Sequence, residues 1–273
     1  MITKQQIKNF DKNSKYLLPY KTLKTPDVVN HLRKFVVQGE KSIVRLLKSP
    51  CSIESILCSE RFYEKISPWL KDRKEEIMVF EGTSEEVRSV IGYQMYQEVM
   101  AVAQIPKTNS LESVMLTAKK PWFFVAVDGL SNAENMGTLI RNCSGFGVTG
   151  LIYDKSSCSP FLRRSVRCTM GTIFNIPIIE VCELGAALRK LREKQVTIFG
   201  SFPHRAQKVL SDAPFKKDCC LLFGSEGKGM SDSITSQCDF SVTIPMHSGT
   251  DSLNVASASA VFLYEVCRQR GIT

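Results

Sequence analysis

The second half of this 273-residue chain carries uninterrupted apolar runs, and these constrain the fold more than any other feature. The runs are WFFVAVD (122–128), GLIYD (150–154), TIFNIPII (172–179), VTIFGSF (196–202), CCLLFG (219–224) and FSVTIP (240–245). Helical stretches alternate with them at about 134–146, 161–170, 183–194 and 254–270. Strands that are apolar without alternation are buried on both faces, as in a parallel sheet covered by its connecting helices. Residues 121–273 therefore predict an α/β domain with a parallel sheet.

A smaller α/β domain is predicted for residues 27–106. From Asp27, VVNHLRKFVVQGEKSIVRLLKS has apolar residues at spacings of three and four, which predicts a helix. SIESILCS, EIMVFEG and MAVAQIP predict strands, and FYEKISPWLKDR predicts a helix. SEEVRSVIG predicts a further helix with Ser84 as its N-cap.

Two polar segments flank this smaller domain. Residues 1–26 are rich in lysine and predict a basic arm that is mobile or loosely docked. Residues 107–120, KTNSLESVMLTAKK, predict a linker containing one helical turn.

The charge balance favours a polyanionic partner. Lys and Arg number 36 against 27 Asp and Glu, which gives a formal net charge of +9, and such an excess is typical of proteins that bind nucleic acid. No apolar stretch approaches the roughly 20 residues that span a bilayer, and the N-terminal segment lacks the apolar centre of a signal peptide. We therefore expect a cytoplasmic protein without a membrane partner.

The ten cysteines give no sign of a metal site. They include no C-x-x-C pair and no histidine at ligand spacing. In a reducing compartment most such cysteines are small buried hydrophobic residues. We expect no bound metal, although the three histidines leave a Cys–His catalytic pair open.

The glycine-rich stretch LLFGSEGKGMS (221–231) matches neither of two common catalytic loops. A P-loop has its second glycine followed by Lys and then Ser or Thr, but here Gly229 follows Lys228. A nucleophile elbow has one residue on each side of its serine, but Ser225 directly follows Gly224. An ordinary turn remains the simplest interpretation of the stretch taken alone.

Two further loops also follow predicted strands and carry polar residues. DGLSNAENMGTLIRNCSGFGV (128–148) contains Asn135 and Arg141, and IPMHSGTDSLNVASASAVFLYE (244–265) contains Ser252 and Asn254. Taken alone, each feature is better explained structurally: Asn135 and Asn254 as caps, Arg141 as a surface ion-pair residue, and the glycines as turns. Because ligands of parallel α/β sheets bind at the carboxyl ends of the strands, the three loops together predict a binding site there. The dinucleotide fingerprint G-x-G-x-x-G is absent.

These three loops resemble, in order and spacing, the three signature motifs of the SpoU (TrmH-like) RNA ribose methyltransferases, over about residues 121–270. SPFLRRSVRCTMGTIFNIPI resembles the family's region after the second strand. Residues 30–106 resemble the ribosomal-protein-like substrate domain of many rRNA-modifying members, with departures at Gln38, where Glu is commoner, and Glu98, where Gly is commoner.

The resemblance implies a fold, a cofactor and a set of site residues. The fold is a parallel sheet with a C-terminal trefoil knot, which the rarity of threaded chains would argue against, and the protein acts as a homodimer. The cofactor is S-adenosylmethionine, and no metal is needed. The cofactor-binding residues are Gly224, Ile244 and Leu253; the catalytic residues are Arg141, Asn135, Glu226, Ser252 and Asn254; and Arg268 and Arg270 contact RNA, in a site completed across the dimer.

The implied role of Arg141 is constrained by chemistry. A guanidinium stays protonated in proteins, so we expect Arg141 to orient the substrate and to hold the phosphate beside the target ribose, rather than to act as a base. That phosphate is a candidate acceptor of the hydroxyl proton. The remaining predicted catalytic residues would fix Arg141 and the ribose.

The implied substrate is structured RNA, because the reaction modifies a ribose 2′-hydroxyl, which DNA lacks. The substrate-like first domain favours 23S-type rRNA over tRNA, whereas the terminal YEVCRQR resembles the tail of tRNA guanosine 2′-O-methyltransferases. A third interpretation is a non-catalytic RNA-binding module of the same fold. For Arg268 and Arg270, the alternative to RNA contact is favourable charge at a helix C-terminus.

Overall fold

The computed structural model describes residues 1–11, 14, 16–21, 32–204, 206–247 and 251–272. The chain forms two compact units. Unit 1 contains Met1–Lys107 together with Phe161–Phe174, and unit 2 contains Thr108–Pro160 and Asn175–Thr273. No helix among the described residues combines the length and the apolar character needed to cross a bilayer.

Unit 1 is built on a five-stranded mixed sheet of order β1-β4-β3-β5-β2. β1 and β3 run parallel to β4, while β5 is antiparallel to its neighbours β3 and β2. Its strands are β1 (Ile2–Gln6), β2 (Lys34–Gln38), β3 (Ile53–Ser59), β4 (Ile77–Gly82) and β5 (Val99–Gln104). Its helices are α1 (Leu18–Lys21), α2 (Glu40–Leu47), α3 (Glu60–Leu70), α4 (Ser84–Ile91) and, from the later segment, α7 (Arg163–Thr169), with a short 3₁₀ helix at Ile7–Asn9.

The structure corrects three expectations in unit 1. Residues 2–6 are an edge strand paired with β4 rather than a loosely docked arm. Part of the helix expected from Asp27 is instead the strand β2, with Phe35 to Val37 buried. Gly39, at φ +91°, breaks the expected helix, so that α2 begins only after it. Residues 22–31, where that helix was expected to begin, lie outside the described residues.

The third correction concerns the cap of α4. Thr83, not Ser84, is the N-cap: its side chain accepts a hydrogen bond from the Glu86 backbone N–H, and the Glu86 carboxylate accepts one from the Thr83 N–H. This reciprocal pair satisfies two N–H groups that the helix leaves free. The Ser84 hydroxyl instead donates to the buried Glu98 carboxylate at 2.6 Å.

Unit 2 contains a seven-stranded sheet of order β10-β12-β9-β11-β6-β7-β8, and every neighbouring pair is parallel. Its strands are β6 (Phe123–Asp128), β7 (Gly150–Tyr153), β8 (Ile178–Glu180), β9 (Thr197–Ser201), β10 (Lys208–Val209), β11 (Cys219–Gly224) and β12 (Phe240–Thr243). Its helices are α5 (Leu111–Thr117), α6 (Ala133–Gly145), α8 (Leu184–Glu193), α9 (Asp232–Thr235) and α10 (Val255–Arg270), and Leu210–Asp212 is a 3₁₀ helix.

Helices cover both faces of this sheet, as the apolar runs predict. On one face Phe124 and Leu222 pack with Leu188 of α8 and Leu111 of α5 in one buried cluster. On the other face Phe223 contacts Phe262 of α10 edge to face, with 5.6 Å between the ring centres. The sheet is therefore the buried centre of the unit, and its function-bearing loops project from its edge.

Two local predictions in this half differ from the structure. The run TIFNIPII begins as a 3₁₀ helix at Thr172–Asn175, and only Ile178–Glu180 forms a strand. The expected polar linker contains α5, a two-turn helix capped by the Ser110 side chain, which accepts from the Ser113 N–H at 3.0 Å. Leu111 and Val114 are buried in the unit 2 core, which explains why this segment belongs to that unit.

Candidate active site

A cleft of about 520 Å³ lies at the carboxyl-terminal edge of the unit 2 sheet. Because the strands are parallel, the loops that follow β9, β11 and β12 all emerge at this edge, beside the start of α10. Its volume lies within the range of small-molecule sites. The lining combines apolar side chains with glycine backbone, from segments 201–203, 223–229, 244–246 and 252–258 together with Phe262.

The three predicted cofactor-binding residues all line this cleft. Gly224 ends β11, Ile244 follows β12, and Leu253 precedes α10 with 39% of its surface exposed. A Cβ at Gly224 would overlap the backbone of Gly229 and Met230, with Gly229 O only 2.7 Å away. Only glycine therefore allows β11 to pass this close to the returning loop.

The glycine-rich loop after β11 is held closed by backbone hydrogen bonds. Ser225 and Gly229 exchange N–H to carbonyl bonds of 3.0 Å in both directions, and Gly229 has φ +68°. The Ser225 hydroxyl accepts from the Lys228 N–H at 3.2 Å. The sequence predicts the glycine-rich loop, but only the fold shows that it closes on itself.

Asp128 anchors the far end of this loop. Its carboxylate accepts from the Ser231 N–H at 2.7 Å and from the Ser231 hydroxyl at 2.9 Å. Sequence reasoning missed this residue, although its position at the end of the buried run WFFVAVD was a usable signal.

Three predicted catalytic residues form one hydrogen-bonded network. Asn135, at the start of α6, donates through Nδ2 to the Glu226 carboxylate, in a short hydrogen bond. Asn254 donates through Nδ2 to Asn135 Oδ1 at 3.1 Å and caps α10 by accepting from the Ala256 N–H at 2.8 Å. Asn132 caps α6 by accepting from the Asn135 N–H at 3.1 Å. The network thus joins all three signature loops.

The other two predicted catalytic residues stand apart from this network. Ser252 lines the cleft and is exposed. Arg141 is exposed on α6, about 9 Å further along the helix axis than Asn135. Among the described residues Arg141 has no hydrogen-bond or ion-pair partner. Within one chain, no described hydrogen bond or ion pair joins Arg141 to the other predicted residues, and its catalytic role stays a prediction.

The two predicted RNA-binding arginines lie at the end of α10. Arg270 donates to the carbonyls of Phe215, Pro121, Trp122 and Lys217 at 2.6–3.1 Å, and its guanidinium stacks on Phe123. These groups lie where β6 and β11 begin, at the edge opposite the cleft. Arg268 is exposed and makes a two-pronged ion pair with Glu265 at 2.7 and 2.8 Å. Their contact with RNA stays a prediction.

Asn142 couples the two helices beside the site, and sequence reasoning did not single it out. Its Nδ2 donates to the Ala256 carbonyl at 2.8 Å and to the Ser259 hydroxyl at 3.0 Å, which fixes α6 against α10.

The described residues include no metal-ligand cluster, and Cys158 near Glu226 is not a reactive thiol. No three His, Cys, Asp or Glu side chains of the described chain converge as metal ligands would. Burial raises the pKa of the Cys158 thiol to about 11, and the Glu226 carboxylate adds to this effect. Cys158 is therefore protonated at neutral pH and a poor nucleophile.

Taken together, a parallel sheet with glycine-backed loops and a polar network at its carboxyl edge defines an α/β protein with a cofactor-sized cleft. The model of the SpoU rRNA Methylase family matches residues 122–264. The chain therefore belongs to this family, as the three loops predict.

Curated relatives align over different shares of the chain. A 23S rRNA (guanosine-2′-O-)-methyltransferase of Shewanella oneidensis is 29% identical over 86% of this chain and 97% of its own length. An uncharacterised tRNA/rRNA methyltransferase of Mycobacterium bovis is 29% identical over 69% of this chain. That alignment spans 66% of the Mycobacterium protein.

Solved structures share the fold. The SpoU methyltransferase AviRb from Streptomyces viridochromogenes, in complex with the cofactor AdoMet, has a TM-score of 0.81 at 22% identity and covers 95% of this chain and 100% of AviRb. An rRNA methyltransferase from Sinorhizobium meliloti has a TM-score of 0.81 at 21% identity, with 98% of each chain covered. The fold is thus that of the SpoU methyltransferases over nearly the whole chain.

Proposed function

We propose that this protein transfers a methyl group from S-adenosylmethionine to a ribose 2′-hydroxyl of structured RNA, with 23S-type rRNA as the favoured substrate. The observation that carries the proposal is the cleft at the carboxyl edge of the sheet, with the network of Glu226, Asn135 and Asn254 beside it. Membership of the SpoU family and the AdoMet complex of AviRb support the same activity.

The residues of the cleft suit S-adenosylmethionine. Ile244 and Leu253 offer apolar surface to an adenine ring, while the backbone of Gly224 and Gly227 allows close approach. Space around Gly227 is open, since no atom lies within 4 Å of where a Cβ would stand. When bound, S-adenosylmethionine supplies an electrophilic methyl group.

The chain's own contribution is positioning. A ribose hydroxyl held in line with the methyl group at near-attack distance gains about 7–11 kcal/mol from proximity and orientation. Asn135 and Asn254 keep the loops around the cleft in register, and Arg141 holds the phosphate beside the target ribose. Because Arg141 has no partner among the described residues, its guanidinium is free for a phosphate, which it can grip with two parallel N–H donors.

The preference for rRNA rests on relatives rather than on the site. The Shewanella oneidensis protein, named for 23S rRNA, aligns along 97% of its length, including the region of unit 1. Residues 27–106 act in this proposal as the RNA substrate domain and 121–273 as the catalytic domain. A tRNA guanosine substrate is the second candidate, supported by the tail YEVCRQR.

A second copy of the chain completes the proposed enzyme. α6 and α10 pack together; Arg141 of α6 is exposed, and so are Val261 and Tyr264 of α10, at 40% and 50%. An apolar strip on one helix can pair with its own copy about a twofold axis. The homodimer, the knotted C-terminal topology and a cytoplasmic location are parts of this proposal.

The test is methyl transfer from tritiated S-adenosylmethionine to deproteinised 23S rRNA and to bulk tRNA, with the position mapped by resistance to alkaline cleavage. We expect a 2′-O-methyl in 23S rRNA and full activity in EDTA after the RNA has been refolded. Methylation of tRNA but not of 23S rRNA would show that tRNA is the substrate instead. Cofactor binding without transfer to either RNA would favour the non-catalytic module.

A further inference from the structure

Unit 1 has its own groove, of about 480 Å³, which the proposed methyl transfer does not use. Its walls are the segment after β2, the loop before β5, and α7 with the residue that follows it. The residues that carry the argument are Gln38, Lys41, Tyr96, Gln97 and Arg167. All of them belong to unit 1.

Two amides in this groove are oriented by their neighbours. Gln38 Oε1 accepts from Arg163 Nη2 at 3.0 Å and from the Tyr93 hydroxyl at 3.4 Å. Gln97 Oε1 accepts from the Glu40 N–H at 3.0 Å. Since each amide oxygen is engaged, each NH₂ group is left to serve as a donor. The groove therefore offers two fixed hydrogen-bond donors.

Positive charge in the groove is uncompensated. Lys41 and Arg167 form no ion pair with any residue the structure describes, and no carboxylate belongs to the described lining. The adjacent Glu40 carboxylate is engaged by Lys65 at 2.9 Å. A groove with two free cations and no anion attracts an anionic ligand.

Arg163, behind Gln38, adds to this charge. Its described partners are Gln38, the Tyr93 hydroxyl and the Met100 sulfur, none of them an anion. Its Nη1 is buried without a described hydrogen-bond partner. Burial lowers the pKa of Arg163, and the neighbouring Arg167 lowers it further, yet an arginine remains charged at neutral pH.

Tyr96 supplies an aromatic face at the same place. It is 99% exposed, which makes it the most exposed of the large hydrophobic side chains described, and it has no described ring partner. Exposed aromatic rings beside basic groups are the platforms on which unpaired bases stack. Donors, cations and a free ring thus occur together in one groove.

We propose that this groove binds one unstacked nucleotide of the substrate RNA. Its base stacks on Tyr96, two acceptor atoms on its edge receive hydrogen bonds from the Gln38 and Gln97 amides, and Lys41 and Arg167 contact its phosphates. A base edge with two acceptors, such as the O6 and N7 of guanine, matches this donor pair. The inference rests on the proposed function, since it needs an RNA substrate.

The test measures RNA affinity of the full-length protein by filter binding from 50 to 300 mM salt, with end-labelled 23S rRNA and bulk tRNA as probes. We expect Tyr96→Ala to weaken binding about tenfold, a typical loss for one stacked base, with an unchanged salt slope, and Tyr96→Phe to restore affinity. The double variant Lys41→Ala/Arg167→Ala should reduce the slope of log affinity against log salt by about two, because two phosphate contacts are lost.

Lys71→Ala is the matched control, because this exposed lysine lies in the same unit beyond the end of α3, at the opposite edge of the sheet. It should lower the slope by much less than the double variant. Cofactor affinity, measured by calorimetry, should stay at the wild-type value in every variant. If the groove variants bind RNA with wild-type affinity and salt slope, the groove does not bind RNA, and the proposed methyl transfer is unaffected. Failure of the wild-type protein to bind or methylate either RNA would overturn the proposed function as well.

Discussion

Asn254 donates a hydrogen bond of 3.1 Å to Asn135, which lies 119 positions earlier in the chain. The same Asn254 side chain caps α10 through its oxygen, and Asn135 in turn donates to Glu226. One amide therefore satisfies the start of a helix and also ties together three loops that are distant in sequence.

The two roles of Asn254 can be separated by substitution. Asn254→Asp keeps an oxygen for the Ala256 N–H, so we expect near-wild-type stability. It has no N–H for Asn135 and adds negative charge to the network, so methyl transfer should fall at least tenfold. Asn254→Ala should also lose about 1 kcal/mol of stability, because the cap is removed. Urea unfolding and transfer assays measure both, and an aspartate variant with wild-type turnover would contradict the network's role.

Gly224 and Gly227 provide a matched pair in one loop. Gly224→Ala places a Cβ against the backbone of Gly229 and Met230, so the loop must shift, with a loss of about 1–3 kcal/mol in stability and of most cofactor affinity. Gly227→Ala meets no atom within 4 Å and should fold with wild-type stability. Calorimetry measures the affinity of each variant for S-adenosylmethionine, and urea unfolding measures its stability. Equal stability of the two variants would show that the close approach at Gly224 is dispensable.

Arg141 should matter for turnover and not for cofactor binding. We expect Arg141→Ala to leave the affinity for S-adenosylmethionine nearly intact. It should lower the transfer rate by orders of magnitude, because no side chain then positions the phosphate beside the target ribose. Arg141→Lys should fail as well, since a point charge cannot replace the planar fork. Arg189→Ala, at an exposed position on α8, is the control. A lysine variant as fast as the wild-type enzyme would rule out positioning by the guanidinium.

Arg270 and Arg268 should differ sharply in their effect on stability. Arg270→Ala leaves several backbone carbonyls without their charged donor, and we expect a loss of about 2–4 kcal/mol. Arg268→Ala removes an ion pair between an exposed guanidinium and the buried Glu265 carboxylate, which keeps Gln269 Nε2 as a donor, so we expect a smaller loss of about 1 kcal/mol. Only Arg268→Ala is therefore a clean probe of RNA contact, through the salt dependence of binding. Similar unfolding midpoints would contradict this division.

Much of unit 2 could be predicted because its strands are buried on both faces. A run such as WFFVAVD has no polar side to place in water, so it indicates a central strand without further information. The carboxyl edge of that sheet then follows from strand direction, which is why the polar network and most residues lining the cleft lie on the three predicted loops. The match to the family model, over residues 122–264, covers these same segments.

Prediction from local sequence was wrong where the spacing of apolar residues suits both a helix and a strand. KFVVQ continues a helical periodicity, yet it forms β2 because it completes the backbone hydrogen bonds of β5. Ile2–Gln6 has little apolar character and becomes a strand only because β4 offers a free edge. Sequence spacing does not record which edges remain unpaired.

The sequence by itself determined the α/β class, the apolar strands and the three loops, because burial and turn chemistry act on neighbouring residues. Only the tertiary structure decided which side chains meet. It joined Asn135 to Glu226 and Asn254, placed Arg270 at the opposite edge of the sheet, and left Arg141 exposed. Such contacts depend on the order in which strands lie side by side, and that order arises from packing the whole sheet at once.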